Sequence, residues 1–167
     1  VLSGEASALP AQLAAQPCID GDSWQWDGVR FTTWRWQQAP EGNAASCVLQ
    51  VEAASGERLL LTGDIDQAAE RALLASGRDL RADWLQVPHH GSGSSSSLAF
   101  VQAVAPRAVL LSRGRYNAYG HPHPRVMARY RALGAVVYDN VPNGTLRLLL
   151  GQYGEARGER EQRYFWR

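Results

Sequence analysis

The chain has 167 residues, of which 45% are hydrophobic and 20% charged, and its formal net charge at pH 7 is +1. This length suits a single domain with a real core, and the composition is that of an ordinary globular protein. No run approaches the roughly 20 apolar residues of a membrane span. The near-zero net charge excludes a general electrostatic attraction to nucleic acid.

The first part of the chain is predicted to form short strands joined by tight turns. Asp27-Gly28 and Ser55-Gly56 are typical hairpin turns. The predicted strands cover 24–26, 29–36, 47–53 and 58–62, after the end of a strand at 1–3 and a weak helix at 5–15.

Four tryptophans alternate along two of these strands, at positions 24, 26, 34 and 36. Such a cluster could stack nucleic-acid bases. Alternating Trp is more often core or one face of a sheet, and we favour that interpretation.

Two further features leave alternatives open. Cys18 and Cys47 could pair or remain free, and their spacing does not indicate a compartment. The chain begins at Val1 without a Met or a signal peptide, which suggests an excerpt from a longer protein.

The central segment predicts a strand, a helix and a second strand, each strand ending in metal-binding residue types. The apolar run 59–61 stops at an Asp, Asp64, and a helical pattern follows over 66–75. The next apolar run, 84–87, stops at His89 and His90. Carboxylate and imidazole groups at neighbouring strand ends are suited to binding a divalent metal ion.

The remainder alternates helix and strand. Helices are predicted over 98–104 and 125–133, strands over 108–111, 136–138 and 145–150, and an N-cap with a loop over the Ser/Gly stretch 92–97. From 151 a polar tail runs to an aromatic triplet at 164–166, and it either pairs as an edge strand or frays. Hairpins followed by this alternation predict a layered α/β fold with a mixed sheet.

The four histidines form two loop pairs: His89-His90, and His121 with His123 in the segment YGHPHP. A single His is usually a surface or core residue, whereas two loop pairs and a strand-end Asp favour a functional site. Because sites gather at the carboxyl ends of parallel strands, we expect Asp64 and both pairs to converge on one edge of the sheet.

The order TGD, helix, PHHGS, GHPHP resembles the metallo-β-lactamase-like domain at the C-terminus of ComEC-type DNA-uptake (competence) proteins, over residues 43–150. The resemblance implies an α/β fold that is part of an αββα sandwich, with mixed sheets and flanking helices. Residues 1–167 would then be the C-terminal portion of one such domain. It also implies an inner-membrane protein with this domain on the periplasmic or extracellular side, beside the membrane channel of the same polypeptide, with single-stranded DNA as partner.

The resemblance further implies metal-assisted hydrolysis of DNA phosphodiesters with two divalent ions, Zn or Mn. Asp64 is the candidate bridging ligand. His90 is the preferred second ligand with His89 turned to the substrate, because neighbouring residues leaving a strand point to opposite sides, although the assignment could be reversed. His121 and His123 would bind the phosphate or protonate the leaving oxygen.

Two residues near these ligands have competing interpretations. Ser92 could donate to a substrate phosphate or serve as a plain cap, and Asp66 could support the site or cap the following helix.

One part of the family pattern is missing. The first metal motif, of the form His-x-Asp-x-Asp-His, does not occur, and no His precedes His89. We therefore expect the chain alone to be apo or weakly metallated, inactive and self-associating through an exposed apolar face. The alternative functions are a DNA-guiding or packing module of the uptake channel, and a phosphoesterase acting on an envelope substrate.

Overall fold

The computed structural model describes residues 2–39 and 41–161. Seven strands of this part of the chain form one mixed sheet in the order β3-β4-β5-β6-β7-β8-β9. The strands are β1 Leu2–Ser3, β2 Gln16–Pro17, β3 Ser23–Trp26, β4 Val29–Trp34, β5 Val48–Glu52, β6 Arg58–Leu61, β7 Trp84–Gln86, β8 Ala108–Leu111, β9 Val136–Asp139, β10 Leu146–Arg147 and β11 Arg157–Gly158. The helices are α1 Gln67–Ala75, α2 Leu98–Val104, α3 Pro124–Ala132 and α4 Asn140–Asn143.

The sheet changes from antiparallel to parallel at β6. β3 to β6 pair antiparallel; tight turns join β3 to β4 and β5 to β6, and a longer loop over 35–47 joins β4 to β5. The first turn places Asp27 and Gly28 at φ of 49° and 77°. From β6 to β9 each strand pairs parallel with the next, after a crossover through α1, α2 or α3. The predicted α/β fold with a mixed sheet is confirmed.

One face of the sheet packs against the helices. Leu60, Leu85 and Val109 are buried on this face, where they contact buried helical residues such as Phe100 and Tyr130. Their neighbours in sequence point to the other side because side chains alternate along a strand. The parallel strands are therefore apolar on both faces, as their continuous apolar runs predicted.

The opposite face is covered in part by the segment after β10. Trp84, Ala108 and Ala156 are buried there, with Leu148 and Leu150 packed against them. The carboxylate of Glu57 is fully buried and accepts hydrogen bonds from the Trp84 indole and from the backbone N–H of Gly151 and Tyr153. Further along this face, near β3, Trp26 is 74% exposed.

Several predicted elements differ from the observed ones. The strand predicted over 145–150 contains only Leu146–Arg147, which pairs with Arg157–Gly158, because the leucines after it turn to cover the sheet. The weak helix predicted over 5–15 is two 3-10 turns, 6–8 and 11–13, with Pro10 capping the second. Val1 and the aromatic triplet 164–166 lie outside the described residues, so the edge strand predicted for the tail stays a prediction.

The N-terminal part is attached to the sheet by a disulfide between Cys18 and Cys47. The tryptophans are divided between the two faces, as the sheet interpretation predicted: Trp34 is buried in the helix-side core, and Trp24 stacks on Phe31 at 5.1 Å on the other side. Within the described residues, no helix has the length and apolar character needed to cross a membrane.

Candidate active site

Asp64 follows β6 on a loop whose backbone is fixed by a neighbouring turn. Gly63 has φ of 56°, and a Cβ at this position would lie 3.1 Å from the Cβ of Ser46. The N–H of Asp64 donates to Ser46 Oγ at 3.1 Å. This anchoring leaves the carboxylate partly exposed, with 39% of its side chain accessible.

The histidine pair after β7 lies in a left-handed turn. His89, His90 and Gly91 have φ of 50°, 55° and 82°, a conformation that costs a non-Gly residue about 1–2 kcal/mol. The N–H of His89 donates to the carbonyl of Gly63 at 3.1 Å, which joins this turn to the Asp64 loop.

The third loop packs against the same turn. The N–H of His123 donates to the carbonyl of Gly91 at 2.8 Å, and a Cβ on Gly91 would lie 2.6 Å from the Cβ of Pro122. Because backbone bonds join the three loops, Asp64 and both histidine pairs converge on one edge of the sheet, as predicted.

His90 is oriented toward Asp64. Its Nδ1 lies 2.8 Å from the carbonyl oxygen of Ser112, and because that oxygen only accepts, Nδ1 carries the proton. The lone pair of Nε2 therefore faces Oδ1 of Asp64 at 3.6 Å. A backbone carbonyl that orients an imidazole in this way is a typical feature of histidines that bind metal ions.

His89 contacts Asn43 and His121. Asn43 Nδ2 lies 3.1 Å from Nε2 of His89, and its ring meets that of His121 edge-on at 5.8 Å between centroids. Nδ1 of His89 is buried and has no hydrogen-bond partner within the part of the chain that the structure describes. A bound group would satisfy this atom, since buried polar atoms are rarely left unpaired.

His121 is held by its own loop. The backbone N–H of His121 donates to Asn117 Oδ1 at 2.8 Å, and Asn117 Nδ2 donates to the carbonyl of His121 at 2.9 Å. The ring of Tyr119 stacks on the His121 ring, with centroids 5.6 Å apart. Burial and the nearby histidine rings, His89 foremost, lower the pKa of His121, and the charge of Asp64 opposes this effect. His121 is thus biased toward the neutral imidazole at pH 7.

His123 is the N-cap of α3. Its Nδ1 accepts a hydrogen bond from the N–H of Arg125 at 3.2 Å. In the neutral ring the proton then lies on Nε2, which becomes a donor at the exposed side of the loop. A Cβ at Gly93 would lie 3.1 Å from Cδ2 of His123, so the Ser/Gly stretch passes directly under this ring.

The other two candidate residues have structural contacts. Ser92 is 8% exposed, and its hydroxyl accepts from the N–H of Ser94 and lies 3.0 Å from the Ser94 hydroxyl. Asp66 caps α1, accepting from the N–H groups of Ala68 and Ala69 at 2.9 Å. The cap of α2 is Ser97, so the Ser/Gly stretch contains the predicted cap at its last residue.

The donor set fits part of a metal site. Asp64 and His90 present a carboxylate oxygen and an imidazole nitrogen to the same space, both accessible to solvent. Residues 2–39 and 41–161 contain no group of three or more His, Cys, Asp or Glu side chains placed to hold one ion. A cleft of about 430 Å³ adjoins Asp64 on the side of Asn43 and Ser46.

Comparison with known proteins adds sequence relatives. An uncharacterized protein of Escherichia coli, YcaI, is 43% identical over 122 residues, which is 71% of this chain and 16% of the relative. The competence protein ComA of Neisseria gonorrhoeae is 39% identical over 156 residues, 91% of this chain and 22% of the relative. ComE operon protein 3 of Bacillus subtilis is 34% identical over 104 residues, which is 62% of this chain and 13% of the relative. The chain belongs to the ComEC-type family.

This ComEC-type chain spans less than a quarter of the length of these relatives. No family model matches it. Among solved structures, the metallo-β-lactamase fold protein YhfI of Bacillus subtilis aligns with a TM-score of 0.48 at 9% identity, covering 81% of this chain and 57% of that protein.

Sequence reasoning missed the residues that orient the site of this ComEC-type domain. Asn43 and Ser46 come from a loop that precedes β5, and neither carries a motif. Ser112 acts through its backbone carbonyl, which leaves no side-chain signal in a sequence. Asn117 could have been suspected, because an Asn four residues before His121 in a Gly-rich loop often braces a turn.

Proposed function

We propose that this domain forms part of a metal-dependent phosphodiesterase site that cleaves DNA within a ComEC-type uptake protein. The observation that carries the proposal is the pairing of Asp64 Oδ1 with the lone pair of His90 Nε2 at 3.6 Å, at the edge where all four histidines meet. One relative is named a competence protein and another a protein of the ComE operon, and we take these names to favour DNA as the substrate.

Asp64 and His90 would hold divalent metal, Zn or Mn, together with ligands from outside the described residues. A bound ion supplies Lewis-acid polarisation of the phosphoryl group and a more acidic water. Asp64 is the ligand suited to bridging two ions, because a carboxylate has two oxygens. The orientation of His89 toward Asn43 supports the assignment of His90, and not His89, as the ligand.

The remaining histidines would handle the substrate. The neutral ring of His123 presents Nε2–H, which suits hydrogen bonding to a phosphate oxygen. His121, whose lowered pKa favours the neutral imidazole, is suited to accepting a proton from the reacting water and passing it to the leaving oxygen. His89 lies between Asn43 and His121, and we assign it to the substrate side of the site. In hydrolysis the water oxygen bonds to phosphorus, the P–O bond of the leaving nucleoside breaks, and that oxygen takes up a proton.

Ser92 has a smaller part in this proposal. Its hydroxyl is largely buried and bonded to Ser94, so substrate contact would require the loop to open. A Ser92→Ala variant is therefore expected to retain most of the cleavage activity.

The proposal extends to the whole protein. We place this domain beside the membrane channel of the same polypeptide, on the periplasmic or extracellular side of the inner membrane. The Cys18–Cys47 disulfide supports that side, because structural disulfides persist in oxidising compartments. The chain alone, with two converging ligands, is expected to bind metal weakly and to be inactive.

The test is cleavage of labelled single-stranded DNA by the full-length protein, with metal content measured by elemental analysis. Asp64→Asn and His90→Ala should each abolish cleavage and reduce bound Zn or Mn. His123→Ala should lower turnover and leave metal content unchanged. Glu155→Gln, an exposed acidic residue outside this loop cluster, is the control and should behave as wild type.

Two results would replace this function. If the intact protein binds metal but leaves DNA uncut with every metal tried, a phosphoesterase acting on an envelope substrate takes its place. If the intact protein binds neither metal nor substrate at Asp64, the domain is a guiding or packing module. Cleavage by the chain alone, in proportion to bound metal, would refute the view that the site is shared with other residues.

Self-association of the chain stays a prediction. Trp24 and Trp26 expose 39% and 74% of their surfaces on the face opposite the helices, and exposed apolar patches promote association. Light scattering at rising concentration should give a mass above that of a monomer, and a monodisperse monomer would contradict the expectation.

A further inference from the structure

The loop between β8 and α3 carries two tyrosines that almost no other side chain covers. Tyr116 is 93% exposed and Tyr119 is 82% exposed. Tyrosine rings are large and apolar, so leaving two of them in water three residues apart calls for an explanation beyond packing.

The loop that holds them is a braced turn. Asn117, which lies between the two tyrosines, donates from Nδ2 to the carbonyls of Gly114 and His121 at 3.0 and 2.9 Å. Its Oδ1 accepts from the N–H of His121 at 2.8 Å. These bonds are made by the residue between the two tyrosines, and they fix the backbone that presents both rings.

The charge around these rings is positive. Residues 112–125 contain three arginines and no Asp or Glu. Arg113 is neutralised by Asp139 at 2.7 Å, whereas Arg115 and Arg125 are exposed and free to attract an anion. Arg115 makes one long contact, 3.4 Å, to the carbonyl of Val141, which does not neutralise it.

The rings also lead to the candidate active site. Tyr119 stacks on His121 with centroids 5.6 Å apart and planes 21° from parallel, and His121 meets His89 at 5.8 Å. The outer face of Tyr119 is open, so a planar group stacked there would extend a row of rings that ends beside the histidines.

From this arrangement we propose that Tyr116 and Tyr119 stack the unpaired bases of single-stranded nucleic acid, with Arg115 and Arg125 contacting its phosphates. Every base has an aromatic face, so such a platform is tolerant of sequence. Paired bases in a duplex are covered by their neighbours, so the platform selects single strands. This inference deepens the proposed function, because it names the substrate form that reaches the same site and the residues that hold it.

The test is fluorescence anisotropy of a labelled oligothymidylate with the purified chain in EDTA, where no cleavage occurs. Tyr116→Ala and Tyr119→Ala should each weaken binding by about 5- to 100-fold. Arg115→Ala should weaken it less and reduce its salt dependence. Tyr116→Trp should retain binding. The controls are Tyr153→Ala, a half-exposed tyrosine at the opposite edge of the sheet, and Arg131→Ala on the exposed side of α3.

An abasic oligonucleotide separates stacking from charge. It should bind the wild-type chain at least as weakly as the oligothymidylate binds Tyr116→Ala, because it loses stacking on both tyrosines. Equal binding of the abasic and normal strands, equal binding of a duplex, or tyrosine variants that bind like wild type would each overturn the inference. So would an absence of binding by the wild-type chain at high concentration.

The two proposals can fail separately. Glu155→Gln should leave oligonucleotide binding in EDTA unchanged, because Glu155 is exposed and lies outside this loop cluster. Tyrosine-dependent binding without cleavage by the full-length protein would refute the nuclease alone. Cleavage that is indifferent to both tyrosines would refute the stacking platform alone.

Discussion

The buried carboxylate of Glu57 should be one of the most sensitive positions for stability in the fold. Its side chain is fully buried, and Oε1 accepts from the Trp84 indole at 2.8 Å and from Arg107 at 2.6 Å. Oε2 accepts from the backbone N–H groups of Gly151 and Tyr153. This carboxylate therefore joins the β5–β6 turn, β7 and the segment that covers the helix-free face.

Glu57→Ala would leave an indole N–H and two backbone N–H groups without an acceptor, whereas Arg107 would keep its contacts with Asp83 and the Gly154 carbonyl. Because Arg107 is 37% exposed, the cost comes mainly from the three unpaired N–H groups, at about 1–3 kcal/mol each, or about 3–5 kcal/mol in all. At about 2–4 °C per kcal/mol for a chain of this size, Tm should fall by about 6–20 °C. Glu57→Gln keeps one acceptor oxygen and turns an NH₂ group toward the other two donors, so its loss should be about half as large.

Thermal unfolding followed by circular dichroism measures these shifts. Glu52→Gln is the matched control, because Glu52 pairs with Arg58 at 2.9 Å and keeps 31% of its side chain exposed. That exposed pair should contribute less than about 1 kcal/mol. A Tm for Glu57→Ala within about 2 °C of wild type would refute the reasoning.

The same carboxylate predicts a dependence on pH. Burial raises the pKa of Glu57, but the hydrogen bonds from Trp84, Tyr153, Arg107 and Gly151 outweigh it, so the pKa lies below its ordinary 4.5. A lowered pKa in the folded state stabilises the protein above the unfolded value, and that stability is lost as the pH falls through the folded value. The gap in stability between wild type and Glu57→Gln should therefore be widest above about pH 5 and narrow in acid.

Three further outcomes are expected. Gly91 has φ of 82°, and an added Cβ would lie 2.6 Å from that of Pro122. Gly91→Ala should therefore force the histidine loops apart, lower the free energy of unfolding by about 1–3 kcal/mol and reduce metal binding by the full-length protein. Unchanged metal binding would contradict the packing described. Replacing Cys18 and Cys47 together by Ser should lower the free energy of unfolding in urea by up to about 4 kcal/mol relative to oxidised wild type, for a separation of 29 residues, and should bring it close to that of reduced wild type. Equal urea midpoints for the variant and oxidised wild type would count against a stabilising bond. The full-length protein with His90→Gln should bind less Zn. Its Tm should stay within about 2 °C of wild type, because the His90 side chain is nearly half exposed. A large fall in Tm would instead show that His90 stabilises the fold.

The sequence predicted most of the sheet because its apolar runs obey simple rules. Three apolar runs at 59–61, 84–87 and 108–111 became β6, β7 and β8, and the helical patterns between them became the crossovers. Where these rules failed, tertiary packing decided the outcome: residues 148–150 have a strand composition but cover Trp84 as an irregular segment.

The sequence predicted which residues form the candidate site, but not how their side chains are oriented. Strand-end positions placed Asp64 and the histidines at one edge. The choice between His89 and His90 depended on the Ser112 carbonyl and on Asn43, two contacts made by residues distant in sequence. The sequence also could not show whether Cys18 and Cys47 pair, because the fold brings them together and their spacing along the chain does not indicate it.

The left-handed turn at His89 and His90 has a practical consequence for protein engineering. A method that ranks substitutions by folding stability alone should favour Gly or Asn at both positions, since both residues relieve a backbone at φ of 50° and 55°. Such a thermostabilised variant would express well, melt later and have lost the imidazoles. Selecting library members by melting temperature would therefore remove the imidazoles of the proposed site first, and a thermal screen of this domain should hold these two positions fixed.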